Sequence, residues 1–119
     1  MIKTDSYGNQ EWIKTYDGIY SSSVLKSVKQ DGNYFISSGY SHKNTTPNDA
    51  QLWLLKTDVQ GNVIFNKDFG ETDLQDWGSS VSISEDGGYY MNGGILSPIE
   101  RCSILLIKTD HNGNVMGLK

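Results

Sequence analysis

Three stretches of this chain decide how it folds: "MIKTDSYGN" (residues 1–9), "LLKTDVQGN" (54–62) and "LIKTDHNGN" (106–114). They are one phrase written three times. Lys3-Thr4-Asp5, Lys56-Thr57-Asp58 and Lys108-Thr109-Asp110 recur at spacings of 53 and 52 residues, and the Gly-Asn pairs at 8–9, 61–62 and 113–114 keep the same spacings. A period of this length marks a repeat architecture, in which each unit is one supersecondary element stacked on its neighbours.

Working outward, more positions fall into line. Trp12 corresponds to Phe65, Lys14 to Lys67, Tyr16 to Phe69, and Ser27-Val28 to Ser80-Val81. The stretch "DGNYFISSG" (31–39) answers "DGGYYMNGG" (86–94). Each unit resolves into four short runs, in the second unit "LWLLKTD", "NVIFNKDF", "SSVSIS" and "GYYMNGG". All are rich in β-branched or aromatic residues and bounded by Gly, Asn, Asp or Ser, which predicts strands. No segment sustains a helical period. The quoted phrase is the chemistry of a tight hairpin: an Asp whose carboxylate accepts turn N–H groups, two variable residues, then a Gly able to adopt positive φ. "QDGN" and "EDGG" predict a second hairpin turn in each unit, with longer connections such as "GETDLQDWG" and "ILSPIERC" between hairpins.

Four antiparallel strands repeating every 40 to 50 or so residues predict propeller-type blades. The ordered set "L-[IL]-K-T-D-x-x-G-N-x-x-W-x-K-x-[YF]", a Gly-containing loop, then "S-V…D-G-G-Y…G", resembles the blade repeat of secreted bacterial β-propeller proteins. Residues 2–18, 27–39, 52–70 and 76–94 carry the resemblance. It implies an extracellular or cell-surface setting and a family whose members mostly lack a defined biochemical activity. The chain departs from the pattern at Asp17-Gly18 and Gly70-Glu71, where Gly-Gly is usual, and at Arg101, where the preceding unit has Asp49. The third hairpin ends in "VMGLK", without the Trp.

The expected fold is therefore all-β: two four-stranded antiparallel blades, taken as units 2–51 and 52–103, plus an extra hairpin over 104–119. A ring takes roughly four to eight blades, so two cannot close, and open edges invite pairing. Self-association into a homo-oligomer is the leading expectation, with blades of a longer chain as the alternative partner.

Composition narrows the function. The 119 residues carry 14 Asp and Glu against 10 Lys and Arg, a net charge of −4, with the bases scattered singly; that argues against nucleic-acid binding. One cysteine, Cys102, excludes an intrachain disulfide and reads as a small hydrophobe. No run approaches the ~20 apolar residues of a membrane span, and residues 1–30 lack a signal-peptide pattern. The turn aspartates Asp5, Asp58 and Asp110 lack the spacing of a calcium loop. His42 and His111 have no second ligand at metal spacing and read as exposed. Glu71, Asp73 and Asp76 share a polar stretch with nothing apolar to raise a pKa. No nucleophile–base pair is visible, so neither catalysis nor a metal or cofactor is expected. Asn44-Thr45-Thr46 matches a glycosylation acceptor by chance. Trp12, Tyr16, Phe65 and Phe69 read as packing between blades. Trp77, beside Asp76, and Tyr20 and Tyr40 flank predicted loops; they are the candidate contacts for a glycan or protein ligand.

Overall fold

The protein is all-β. The computed structural model describes residues 1–17, 22–42, 50–69, 75–96 and 102–118, and among these ten strands form three antiparallel sheets. Strands β1 (Ile2–Thr4) and β2 (Gln10–Ile13) make a two-stranded hairpin. Strands β3 (Ser22–Asp31), β4 (Tyr34–His42), β5 (Ala50–Asp58) and β6 (Val63–Phe69) make a four-stranded sheet in chain order. Strands β7 (Gln75–Ile83), β8 (Tyr89–Leu96), β9 (Cys102–Thr109) and β10 (Val115–Leu118) make the second. The sheets do not close into a barrel and are compatible with propeller-type blades.

The sheets run out of phase with the sequence repeat. Each combines the second hairpin of one repeat with the first hairpin of the next: β4 pairs with β5 across residues 43–49, and β8 with β9 across 97–101. The connections that cross from sheet to sheet are 14–21, between β2 and β3, and 70–74, between β6 and β7. The hairpin left over is consequently β1–β2, at the start of the chain, while β9–β10 completes a sheet.

Packing explains why one phrase reads differently at each copy. The middle sheet lies between the β1–β2 hairpin and the last sheet, so β5 is buried from Ala50 through Thr57 and shows no alternation. In β9 the same "L-[IL]-K-T" alternates, because one face only is covered: Ile104 is 85% exposed, Leu105 5% and Ile107 0%. The core between the four-stranded sheets is Ile36, Leu52 and Leu54 from one side and Val81, Tyr89, Met91, Leu105 and Ile107 from the other, with Phe65 and Phe69 packed against it.

The second hairpin turns differ, with consequences for the faces. Gly32 and Asn33 alone separate the paired Asp31 and Tyr34, with Gly32 at φ 57°. Five residues, Ser84 to Gly88, separate the paired Ile83 and Tyr89. Relative to the aligned "DGNY" and "DGGY", β4 is thus offset from β8 by one residue, which exchanges the faces of the sheet. Tyr34 is 39% exposed whereas its sequence counterpart Tyr89 is 0% exposed, and Phe35 takes the inward place.

Candidate functional site

The feature this molecule repeats is a turn and the strand that grips it. In each copy the Asp carboxylate organises the turn. Asp58 Oδ1 accepts the N–H groups of Gln60 and Asn62, both at 2.9 Å, and its Oδ2 accepts Asn62 Nδ2 at 3.0 Å. Asp5 does the same with Tyr7 and Asn9, and Asp110 with Asn112 and Asn114. Gly8, Gly61 and Gly113 sit at φ of 86°, 84° and 80°, the left-handed region where a side chain would be strained.

Two of these turns are clasped by the preceding hairpin. Onto the Asp58–Asn62 turn, Trp12 Nε1 donates to the Val59 carbonyl at 3.0 Å, Tyr16 Oη to the Gly61 carbonyl at 2.6 Å, and Lys14 Nζ to Asn62 Oδ1 at 3.1 Å. The Asp110–Asn114 turn is gripped the same way: Lys67 Nζ donates to Asn114 Oδ1 at 3.0 Å, and a Cβ on Gly113 would come within 2.9 Å of the Phe65 ring. Glycine is needed at Gly61 and Gly113 for space as well as for φ. The third turn is bare: Gly8 has nothing within 4 Å of where a Cβ would stand, and Tyr7 is 89% exposed. The aromatic-x-Lys pairs Trp12/Lys14 and Phe65/Lys67 thus each hold the following turn, whereas among the described residues none packs against Gly8.

Buried between the sheets, Lys56 adds a second link. Its Nζ donates to the His111 carbonyl at 2.9 Å and lies 4.5 Å from the Tyr34 ring centroid and 5.3 Å from that of Tyr89. Burial pulls its pKa below the usual lysine value, against the attraction of Asp31. Asp31 in turn accepts a hydrogen bond from Tyr89 Oη at 2.7 Å, and burial followed by that bond pushes the phenol's pKa up. In the last sheet, Lys108 pairs instead with Asp86 at 2.9 Å, and this hydrogen bond is the largest cause holding the Asp86 carboxyl low.

Two expectations follow. With Trp12→Ala, amide exchange in β1 and β2 should quicken by roughly tenfold, the equivalent of one lost hydrogen bond and part of an aromatic contact, while β4, β5 and β8 stay protected. Hydrogen-exchange mass spectrometry reads this directly. The second concerns pH. Hydrogen bonds from the Asn9, Asn62 and Asn114 backbone N–H groups, first among their causes, hold the Asp5, Asp58 and Asp110 carboxyls below the usual carboxylate value. The folded carboxylates bind protons less readily than the unfolded ones. Their stabilisation is therefore present above a pH of about 3.9 and is lost as pH falls from there through the lower folded values. Urea midpoints should be level between pH 5 and 7 as far as these groups decide, and drop steeply below pH 4.

Of the residues singled out as ligand contacts, Tyr40 is the one whose side chain the structure describes. The backbone of Asp76 and Trp77 lies within β7, paired with Ile95 and Gly94, rather than in a loop. Tyr40 is half-buried in β4, its ring edge-on to His42 at 5.4 Å with Lys26 Nζ 5.7 Å from its centroid. His42 accordingly ends a strand and is half-buried, whereas His111 is exposed in its turn. Tyr20, Asn44 to Thr46, Glu71 and Asp73 lie outside the described residues, as does the side chain of Cys102. Among the described residues no three His, Cys, Asp or Glu side chains gather as a metal site would need. Sequence reasoning assigned Trp12, Tyr16, Phe65 and Phe69 to packing between blades but missed the Lys14–Asn62 and Lys67–Asn114 bonds. The signal was present, since both partners keep their place in the repeat. A scan against protein-family models and a search of curated proteins found no match to this chain.

Proposed function

We propose that the chain is a non-enzymatic, propeller-type assembly module that self-associates head to tail through its open blade faces. The resemblance of its repeat to those of secreted bacterial propeller proteins would put it outside the cell or at its surface. One observation carries the reading. In the middle sheet Ile36, Leu52, Leu54 and Lys56 share a face covered by the last sheet, with exposures of 0, 0, 0 and 5%. By strand pairing, Tyr90, Ile104, Leu106 and Lys108 hold the same positions in the last sheet, over which no further sheet packs among the described residues. Tyr90 is 40% and Ile104 85% exposed, with Met116 at 63% nearby on β10. This tail is an interior face turned outward.

The head is the outer side of the β1–β2 hairpin. Ile2 and Ile13 pair across it at 59% and 57% exposure, above the bare Asp5–Asn9 turn. Ile2 holds the position that Leu55 and Ile107 hold in β5 and β9, both 0% exposed. Tail on head repeats a contact the molecule already makes internally. Such an interface is heterologous, so it closes into a ring or runs on as a fibre. Absolute mass by light scattering over a wide concentration range tests it. A discrete multiple of 13.3 kDa, or steady growth, is expected; a constant 13.3 kDa overturns the proposal. The alternative, a glycan or protein ligand held by Trp77, Asp76, Tyr20 and Tyr40, has less behind it, because the Tyr40 ring already has His42 and Lys26 as neighbours.

A further inference from the structure

The three hairpins that carry the repeated phrase share one register. Lys3 pairs with Trp12, Lys56 with Phe65 and Lys108 with Gly117, so each inner lysine stands directly across from the place of the clasping aromatic. What differs is the group that holds the next turn. In the first hairpin the Trp12 indole N–H donates to the Val59 carbonyl, the one that follows the turn aspartate, at 3.0 Å. In the second, the equivalent carbonyl is that of His111, and Phe65 has no N–H to offer. There the Lys56 Nζ donates instead, at 2.9 Å. We infer that Lys56 is a positioning residue that takes over from the missing indole, and that the side chain at the place shared by Glu11 and Ile64 decides whether the lysine is free to do so.

The neighbouring residue completes the exchange. Beside Trp12, the Glu11 carboxylate holds the Lys3 Nζ at 2.7 Å, and the same amine donates to the Thr4 carbonyl at 2.8 Å. Beside Phe65 the corresponding residue is Ile64, which has no carboxylate to offer. Lys56 is 5% exposed, among the rings of Tyr34, Phe65 and Tyr89 at 4.5, 6.0 and 5.3 Å. An ammonium so buried needs an acceptor, and the turn carbonyl supplies it. Glu11 with Trp12 and Ile64 with Phe65 are therefore two coordinated solutions to one contact.

The third hairpin separates the two conditions. Gly117 brings no indole, so a free lysine would be called for, yet Lys108 is engaged within its own sheet, by the Asp86 carboxylate and the Thr109 carbonyl, both at 2.9 Å. A carboxylate within reach thus keeps the inner lysine at home in the first and third hairpins, and its absence sends Lys56 across to the next turn. Every contact in this exchange lies within one chain, so it stands or falls apart from self-association.

A substitution cycle on the full-length chain, read by nuclear magnetic resonance, tests the inference. Lys56→Met in the parent should move the His111 carbonyl carbon resonance upfield and quicken amide exchange at residues 112–114 by about tenfold or more, the loss of one charged hydrogen bond. In a chain carrying Ile64→Glu and Phe65→Trp, the same substitution should leave that resonance in place and quicken exchange by less than about threefold. Were Lys56 acting only through the ring faces, a tryptophan would strengthen the contact and the loss would grow instead. Growth, equal losses in the two backgrounds, or an unmoved His111 resonance in the parent would each overturn the inference. The reciprocal swap leaves Lys56 untouched: Trp12→Phe should quicken exchange at residues 60–62, and adding Glu11→Ile should restore it as Lys3 takes up the Val59 carbonyl. Failure to restore it would overturn the inference as well.

Discussion

Replacing Ile104 with lysine should leave the fold intact and turn an associating chain into a monomer. Ile104 is 85% exposed in the isolated chain, so no internal contact of consequence is lost. Its equivalent, Leu52, is 0% exposed under the neighbouring sheet, so in a tail-on-head contact Ile104 would be covered in the same way. Burying an isoleucine side chain is worth about 1.5–3 kcal/mol, and forcing an unpaired ammonium into the same place adds a desolvation cost. Together these correspond to a loss of at least tenfold, and more nearly a hundredfold, in association. Thermal unfolding of the variant should match wild type at concentrations too low for assembly. A variant that associates as strongly as the parent would place the contact elsewhere.

Leu54→Ala should have the largest effect on stability. Leu54 is 0% exposed and belongs to the cluster that joins the two four-stranded sheets, among Ile36, Leu52, Val81 and Met91. Removing a buried leucine to Cβ loses transfer free energy and leaves a cavity, typically about 2–5 kcal/mol in all. In a chain of this size that is a large part of the stability. Because the cluster is shared, denaturation should stay a single transition shifted to lower urea. Separate early loss of one sheet, read by the Trp53 and Tyr89 environments, would show that the sheets fold independently.

The hairpin phrase was legible because its chemistry is local. An Asp, two free positions, a Gly and an Asn contain every partner of the turn, and no distant residue decides its shape. Strand count and strand type followed for the same reason. Phase did not. Which connection crosses between sheets depends on tertiary packing, and 43–49 and 70–74 are both short and polar, so nothing in them distinguishes a return within a sheet from a passage to the next. The register of β4 escaped for a smaller reason. Aligned Tyr34 and Tyr89 look equivalent, yet the difference between a two-residue and a five-residue turn puts them on opposite faces. Trp77 sits in a stretch with Asp and Gly on either side, which reads as loop; backbone pairing with Gly94 keeps it in a strand. Of the clasp, the aromatic half could be read from repetition, while its lysines passed for solvated charges.

The most direct measurement joins two crippled copies. Ile104→Lys disables the tail and keeps the head; Ile2→Lys with Ile13→Lys disables the head and keeps the tail. Each variant alone should run as a monomer of about 13.3 kDa in analytical ultracentrifugation, and an equimolar mixture should form a dimer that grows no further. Two variants that stay separate when mixed, or that still associate on their own, would contradict head-to-tail assembly of these blades.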